Sequence, residues 1–368
     1  MTHDAGYGMS RVGMGMLAAA ALWGCGGSVD LSSQGGAGGG GTAGVAGSGG
    51  GGGSFPSAGS GNVAGSSTPG GGAALPKSGI LAFDANRDGA GRAIYLRSMA
   101  TPDCTSRRLT SPDVQAKQAV FSQDGTRMAY AALSEGLYQI HVLELKSTEV
   151  EQVTELPYGA TAPSFSPDGQ KLAFLTGDSD GSSGNPIEGQ FDVVVLDLET
   201  MTARVVLTSF EGHCCGGNVR APTFFGNGEV VLSTGTELVG VDLQTLAVRD
   251  VMPTSGRIPN PQDPEPAPDG VRYIYADRCD GSLSLFIGRV DGSSGDSCVG
   301  ATKIPQTFEI IAPSWGTNGY IATAYKESSQ GLILFNDQTF DKIDLPGSMG
   351  ARNPAWAPES VDLTTNCE

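Results

Sequence analysis

The octet Ala162–Gly169 reads APSFSPDG, and the apolar run Leu172–Leu175 follows it directly. Variants of this octet recur along the chain: QAVFSQDG begins at Gln118, APTFFGNG at Ala221, DPEPAPDG at Asp263, APSWGTNG at Ala312 and NPAWAPES at Asn353. The fourth position is aromatic in five of the six copies, at Phe121, Phe165, Phe224, Trp315 and Trp356, and is Pro266 in the remaining one. The recurrence indicates a repeat protein.

Most copies of the octet end in Asp-Gly or Asn-Gly, which predicts a hairpin with a primed turn and positive φ at its central residues. The copies are about 40 to 60 residues apart, with several short apolar runs in each interval. This spacing is typical of propeller blades, because one small sheet cannot bury both of its faces alone. No run combines helical period with helical length.

The pattern therefore predicts an all-β fold: a six-bladed β-propeller preceded by a disordered Gly-rich linker. The first blade begins without an innermost strand, and the octet Asn353–Ser360 at the far end of the chain matches the missing one. We therefore expect the C-terminal strand to close the ring, which leaves no open sheet edge. Blade three carries a long polar insertion, Gly177–Gln190, between its second and third strands.

The composition argues against nucleic acid and against direct adsorption to anionic lipid. The 368 residues include 22 basic and 39 acidic side chains, which gives a formal net charge of -17. A groove for a phosphate backbone needs clustered Lys and Arg, and this balance has the opposite sign.

The first 24 residues are predicted to be an export signal. Arg11 supplies a positive charge, and Val12–Gly24 is an apolar run too short to span a bilayer. The segment Leu-Trp-Gly-Cys that ends at Cys25 resembles the lipobox of bacterial lipoproteins, in which the Cys is lipidated and becomes the mature N-terminus. An ordinary secretory signal with a chance Cys is the alternative. The residue after Cys25 is a Gly, which does not act as an inner-membrane retention signal, so the outer membrane is favoured as the place of the lipid anchor.

Residues 25–76 are predicted to be the lipidated Cys and a flexible tether. From Gly26 to Pro76 the chain is rich in Gly, Ser, Ala and Thr, and Asp30 is its only charge. Such a segment cannot bury enough apolar area to offset its chain entropy, and as a random coil it reaches roughly 40 Å. The propeller is then expected over residues 77–368.

The SPDG-type octets, the apolar strand after each, and the turn Asn86-Arg87-Asp88-Gly89 before Ile94 and Tyr95 resemble the repeats of the TolB propeller family. The resemblance covers about Ser78–Pro358. It implies six blades and a general role as an envelope binding platform for a protein or a glycan, most simply as a monomer. The family's namesake has an extra α/β domain before its blades and is soluble in the periplasm, whereas a lipobox and a tether occupy that place here.

Six cysteines follow Cys25, and an even number in an exported domain suggests disulfides. Blade topology brings Cys104 near Cys367, and a bond between them would lock the ring closure. Cys279 and Cys298 belong to one blade and are expected to pair locally. Cys214 and Cys215 are adjacent; a vicinal disulfide is one interpretation, and a zinc or copper site with His213 is the other, although a second ligand cluster is missing.

A candidate ligand site lies on the face formed by the blade-to-blade connections and the loops between strands two and three. The insertion of blade three and the segment leading into blade four, EGHCCGGNVR, share this face. Their polar side chains, which we expect to converge, are Asp178, Asp180, Asn185, Glu188, His213, Asn218 and Arg220. Binding residues are often carried by long loops on a rigid scaffold, and a solvated insertion without a ligand is the alternative.

No cofactor is predicted, although calcium is possible. Asp84, Asn86 and Asp88 occupy positions one, three and five of a calcium loop, with Gly89 at position six. Position twelve is Tyr95, which cannot supply the usual carboxylate, so plain hairpin chemistry is the alternative.

Enzymatic signatures are sparse. The sequence has no G-x-S-x-G elbow and no HExxH motif, and only His141 and His213 follow the signal segment. His141 is expected to be a packed or edge histidine. We therefore expect a binding protein, with a metal-assisted enzyme acting on a carbohydrate or lactone as the alternative. In that alternative, Gln118, Asp263 and Asn353 would surround a calcium ion in the channel. A spacer without a dedicated ligand is a third possibility.

Overall fold

The structure is a computed structural model, and it describes residues 7–8, 75–87, 89, 91–101, 106–176, 192–208, 220–234, 237–251, 261–279, 281–292, 301–306, 308–325 and 331–361. The propeller unit comprises Met1–Ser10 and Gly72–Glu368. Within the described part of the chain, no helix has the length and apolar character needed to cross a membrane.

Six antiparallel sheets form the blades, as predicted, and each blade consists of four strands that lie between residues 80 and 356. Blade one contains β2 (Ile80–Ala85), β3 (Ala93–Ser98) and β4 (Arg107–Arg108), together with the last strand, β25 (Arg352–Trp356). Blade two contains β5 (Lys117–Phe121), β6 (Arg127–Ser134), β7 (Leu137–Glu144) and β8 (Val150–Gln152). Blade three contains β9 (Ala160–Phe165), β10 (Lys171–Thr176), β11 (Asp192–Asp197) and β12 (Thr202–Thr208).

The remaining blades follow the same order from the innermost to the outermost strand. Blade four contains β13 (Arg220–Phe224), β14 (Glu229–Ser233), β15 (Leu238–Asp242) and β16 (Val248–Asp250). Blade five contains β17 (Gln262–Pro266), β18 (Arg272–Asp277), β19 (Ser284–Arg289) and β20 (Thr302–Lys303). Blade six contains β21 (Ile310–Trp315), β22 (Tyr320–Tyr325), β23 (Leu332–Asn336) and β24 (Lys342–Asp344).

Two further elements lie outside this pattern. A 3₁₀ turn, Pro112–Val114, lies in the connection from blade one to blade two. A two-residue strand, β1 (Tyr7–Gly8), pairs with the outer edge of β12, with Tyr7 opposite Ala203. Tyr7 and Gly8 belong to the predicted export signal, whose removal stays a prediction.

The ring closes as predicted, because β25 pairs with β2 and places Trp356 opposite Leu81. The hydrophobic core is divided among six clusters, one between each pair of neighbouring blades. The aromatic fourth position of the octet fills these clusters: Phe165 is 8% exposed and Trp315 is 5% exposed. Each blade thus buries its apolar faces against its two neighbours.

The octets turn back into the next strand, as predicted, but the predicted primed turn is wrong. Gly125 and Gly169 have φ values of 72° and 70°, whereas the aspartates before them are not among the residues with positive φ. The amide of Gly125 donates to the carbonyl of Ser122 over 2.9 Å. The Ser122 hydroxyl donates to Asp124 over 2.6 Å, and its oxygen accepts from the Arg127 amide over 2.9 Å. The serine before the turn therefore stabilises a longer turn that needs positive φ only at the glycine.

Candidate functional site

The face that carries the blade-to-blade connections is the strongest candidate for a functional site; we call it the channel-mouth face. Each innermost strand begins there, so the first octet residues surround the mouth of the central channel. Five of these residues have a left-handed backbone although none is a glycine, with φ between 46° and 57°: Gln118, Ala162, Asp263, Ala312 and Asn353. Beside each, the pairing with the second strand shifts register, which marks a β-bulge.

Polar side chains at this first position join neighbouring blades. The Gln118 side-chain oxygen accepts from the Ala162 amide over 3.1 Å, and the Asp263 carboxylate accepts from the Ala312 amide, also over 3.1 Å. In both cases the donor is the left-handed residue of the next blade. These bonds satisfy amides that the bulges remove from the sheet ladder, so the ring of bulges is also a ring of contacts between blades.

Asp84 is the most connected of these polar groups. Its carboxylate is fully buried and accepts from Arg92 over 2.9 Å, from the Gln118 amide over 3.0 Å and from the Asn353 side chain over 2.8 Å. Burial raises the pKa of Asp84, while Arg92 and the hydrogen bonds from Gln118 and Asn353 oppose that rise. Asp84 thus ties blade one, the closing strand and blade two together.

These contacts bear on the calcium expectations. The Asp84 carboxylate is already bonded to a guanidinium, an amide and a side-chain amide, and Asp88 lies outside the described residues. Among the residues that the structure describes, no group of three or more His, Cys, Asp or Glu side chains is placed to hold a metal ion. The side chains of Gln118, Asp263 and Asn353, which the enzymatic alternative placed around a channel ion, make hydrogen bonds within the propeller, and the channel ion stays a prediction.

A pocket of about 610 Å³ opens on the channel-mouth face where blade six meets blade one. Its walls come from the loop between β2 and β3 and from the connection that leads into β25, and they contain three arginines: Arg87, Arg92 and Arg352. The other lining residues are Asn86, Gly347, Met349 and Gly350. The described lining contains no carboxylate, although the chain as a whole is strongly acidic.

Two of the three arginines are held by contacts within the protein. Arg92 forms an ion pair with Asp84, and Arg87 donates to the carbonyl of Gly347 over 2.7 Å while its guanidinium lies 4.6 Å from the ring centre of Tyr95. Behind them, Arg97 donates to the carbonyl of Pro346. Burial lowers the pKa of Arg97, and the positive charge of Arg87 lowers it further.

Arg352 differs from the other two arginines. Its Nε atom is buried and has no hydrogen-bond partner. No ion pair of Arg352 is found within the described ranges of the chain. Since buried donors are normally satisfied, this atom requires an explanation.

The exposed apolar side chains are divided between the two faces of the propeller. Five large apolar side chains of the described residues are exposed, and three of them lie in blade-to-blade connections on the channel-mouth face: Val114, Tyr158 and Met349. Met349 is 75% exposed and Tyr158 is 52% exposed. The other two, Val150 and Val271, follow turns on the opposite face.

The loop residues predicted as a ligand site cannot be placed. Asp178, Asp180, Asn185, Glu188, His213 and Asn218 lie outside the described residues. Arg220 is the first residue of β13, at the channel-mouth end of blade four. The predicted convergence of these side chains therefore stays a prediction.

His141 occupies strand β7 and is a packed residue, as expected. Its ring stacks on Tyr130 with 5.7 Å between the centres, and Nδ1 lies 3.2 Å from the carbonyl oxygen of Gln139. Burial lowers the pKa of His141, and the contact with Gln139 opposes that shift. The ring therefore serves packing in blade two.

Of the six cysteines expected in disulfides, one, Cys279, belongs to the described residues. It is disulfide-bonded and packs beside the aromatic cluster between blades four and five. Its partner lies outside the described residues, so the pairing with Cys298 stays a prediction, as do the pairings of Cys104 with Cys367 and of Cys214 with Cys215.

No protein-family model matches the chain. Among curated proteins, the chain is similar to the Tol-Pal system protein TolB of Francisella tularensis subsp. holarctica (strain OSU18), with 24% identity over 252 residues. The match covers 65% of this chain and 54% of that protein. The chain therefore spans about half the length of the curated relatives it matches.

Solved structures agree on the architecture. TolB from Acinetobacter baumannii superposes with a TM-score of 0.62 at 17% identity, covering 77% of this chain and 67% of that one. A putative TolB from Agrobacterium tumefaciens gives a TM-score of 0.52 at 15% identity, covering 76% of this chain and 92% of that one. The fold is a TolB-like six-bladed propeller. At these identities the likeness establishes the fold of the TolB-like propeller, and its ligand has to be argued from its own residues.

Sequence reasoning missed the arginine pocket of the TolB-like propeller. Arg87 and Arg92 flank one turn, whereas Arg352 lies far away in sequence and reaches them only because β25 closes the ring. The one available signal was the predicted ring closure, which places the residue before the last octet beside blade one.

Proposed function

We propose that the protein is a lipid-anchored envelope platform that binds a partner protein through the channel-mouth face of its propeller. The observation that carries this proposal is the placement of Tyr158 and Met349, together with a pocket of about 610 Å³, on that one face. Met349 lines that pocket, while Tyr158 is exposed in another connection on the same face, and methionine and tyrosine are enriched in protein-binding surfaces.

The fold and the relatives support the same proposal. Propellers present loops from several blades on one rigid face, which suits the recognition of a macromolecule. Curated proteins to which the chain is similar carry the name of the Tol-Pal system, which suggests an envelope location and a protein partner. The lipobox at Cys25 and the Gly-rich segment after it suggest an anchor and a tether, with the outer membrane as the preferred site.

A pull-down from envelope extract tests the binding face. The bait is the full-length protein, compared with a Tyr158→Asp/Met349→Asp variant and with a matched Val150→Asp/Val271→Asp variant on the opposite face. We expect the wild type and the opposite-face variant to retain the same partner and the channel-mouth variant to lose it. Equal retention by all three proteins would contradict the proposed face.

The anchor is tested separately through Cys25. Metabolic labelling with a radioactive fatty acid should label the wild-type protein, and the label should be absent from a Cys25→Ser variant. A wild-type protein without label would contradict lipid anchoring and leave the binding proposal unchanged.

A further inference from the structure

The unpaired guanidinium of Arg352 is the best indication of what the channel-mouth face binds. A guanidinium has five N–H donors and no acceptor, and it keeps its charge at any physiological pH. Leaving such a donor buried without a partner costs free energy, and the cost is recovered when an acceptor arrives. An anion or a strong acceptor would supply the hydrogen-bond partner that Arg352 lacks.

The rest of the pocket fits a carboxylate. Planar guanidinium groups bind planar carboxylates through two parallel hydrogen bonds. Arg92 pairs with a carboxylate inside the protein, through one contact between its Nη1 atom and Oδ2 of Asp84. The polar side-chain groups that line the described pocket are donors, apart from the amide oxygen of Asn86 and the weakly accepting thioether of Met349, so the lining suits an acceptor-rich group.

The rim separates an acidic peptide from an acidic sugar. Met349 lines the pocket and is the most exposed large apolar side chain among the described residues. A flexible thioether contacts apolar side chains well, whereas the hydroxyl groups of a sugar donate as well as accept and are fully satisfied only where acceptors are also present. The described lining offers few such acceptors.

We propose that this pocket binds a Glu or Asp side chain of the partner protein, flanked by apolar residues, with Arg352 as the principal contact of the carboxylate. This inference rests on the proposed protein-binding function and deepens it. Charge complementarity at one pocket would also give an acidic platform a specific attachment point for an acidic segment.

The test uses the capped pentapeptides SLELS and SLQLS, titrated into the isotopically labelled full-length protein and followed by NMR. They differ in one charge and otherwise match in size. We expect the Glu peptide to bind at least tenfold more tightly than the Gln peptide, because charge-assisted hydrogen bonds are about twice as strong as neutral ones. The ratio of the two affinities should fall toward one in the Arg352→Gln variant. It should persist in the Arg107→Gln variant, which changes an exposed arginine of the same blade.

Three results would overturn the inference. One is equal binding of the two peptides to the wild type, and another is a preference that survives Arg352→Gln. The third is binding of digalacturonate that depends on Arg352 and is tighter than that of the Glu peptide, which would assign the pocket to an acidic glycan. Thermal unfolding of Arg352→Gln beside the wild type and Arg352→Lys separates loss of binding from loss of fold.

The inference and the proposed function can fail independently. If Arg352→Gln retains the envelope partner in the pull-down while the Tyr158→Asp/Met349→Asp variant loses it, the carboxylate contact is wrong and the binding face stands. If no variant on this face changes the captured partner while the peptide preference persists, the pocket stands and the proposed platform fails.

Discussion

At the scale of single residues, the first octet position combines a left-handed backbone with a hydrogen bond between blades. The side chains of Gln118 and Asp263 each accept a hydrogen bond from an amide of the next blade, and the donors are Ala162 and Ala312. All four residues occupy this position with the same left-handed backbone, although their side chains differ in chemical type. Short polar side chains are suited to this role because they accept hydrogen bonds close to the backbone. The position is therefore structural, and its polarity serves the ring.

Substituting Asp263 tests this role. Asp263→Ala leaves the Ala312 amide without its acceptor, and we expect the free energy of unfolding to fall by about 1–3 kcal/mol. Asp263→Asn keeps an acceptor and should lose less. Chemical denaturation measures both, with the exposed Glu155→Ala as the control, for which a change within about 0.5 kcal/mol is expected. An equally small effect of Asp263→Ala would contradict the structural role.

Glu265 gives a second prediction at this scale. It lies in β17, the innermost strand of blade five, and no hydrogen bond or ion pair is found for it among the described residues. Burial raises the pKa of the Glu265 carboxyl to about 8. The pKa of Glu265 is lower in the unfolded state than in the native state. At pH values between these two pKa values, the native state therefore binds a proton that the unfolded state has released. The contribution of Glu265 to stability is therefore fully present below about pH 4 and is lost as the pH rises through about 8.

Glu265→Gln should remove this pH dependence. Near pH 4 the variant and the wild type should be similarly stable, and above pH 8 the variant should be more stable. Because the side chain is only partly buried, we expect a gain of roughly 1–3 kcal/mol rather than the full value of the pKa shift. Denaturation curves at several pH values provide the measurement, and parallel pH profiles of the two proteins would refute the assignment.

At the scale of elements, ring closure depends on β25. Trp356 is 8% exposed and packs in the cluster between blades six and one, and the Trp356 amide donates to the Ser314 hydroxyl of blade six over 3.1 Å. The closing strand thus joins the two ends of the propeller through both its backbone and its side chains.

We expect Trp356→Ala to lower the free energy of unfolding by about 3–5 kcal/mol, as for other buried aromatic residues. Trp356→Phe keeps part of the packing and should cost less. Urea denaturation measures both variants. A loss below about 1 kcal/mol for Trp356→Ala would mean that the ring does not depend on this strand.

The elements are also where the sequence was most informative. The octet with a buried aromatic, exemplified by Phe165 and Trp315, predicted the innermost strand, the blade count and the closing strand, because local pattern and burial agree there. The turn subtype was not predictable from Asp-Gly alone, since the same turn forms after Ser122 and after Ala267, with positive φ only at Gly125 and Gly270. The bulges were missed because Gln, Ala, Asp and Asn all occupy the same left-handed position.

At the scale of the whole molecule, closure creates the pocket. The loop between β2 and β3 contributes Arg87 and Arg92, and the closing strand β25 contributes Arg352. The site therefore exists only in the closed ring. The local sequence pattern does not reveal such a site, because Arg352 is far from Arg87 and Arg92 along the chain. A net charge of -17 gives no hint of the pocket, since its three arginines are a small part of the 22 basic side chains.

The central claim is that the channel-mouth face binds the partner protein. Site-specific photo-crosslinking in cells tests this claim most directly. A photoreactive amino acid at Met349 or Tyr158 probes this face, and one at Val150 probes the opposite face at an exposure of 52%, equal to that of Tyr158. We predict a discrete crosslinked envelope protein from Met349 and Tyr158 and none from Val150. Crosslinks from Val150 alone, or the same product from all three positions, would contradict the claim.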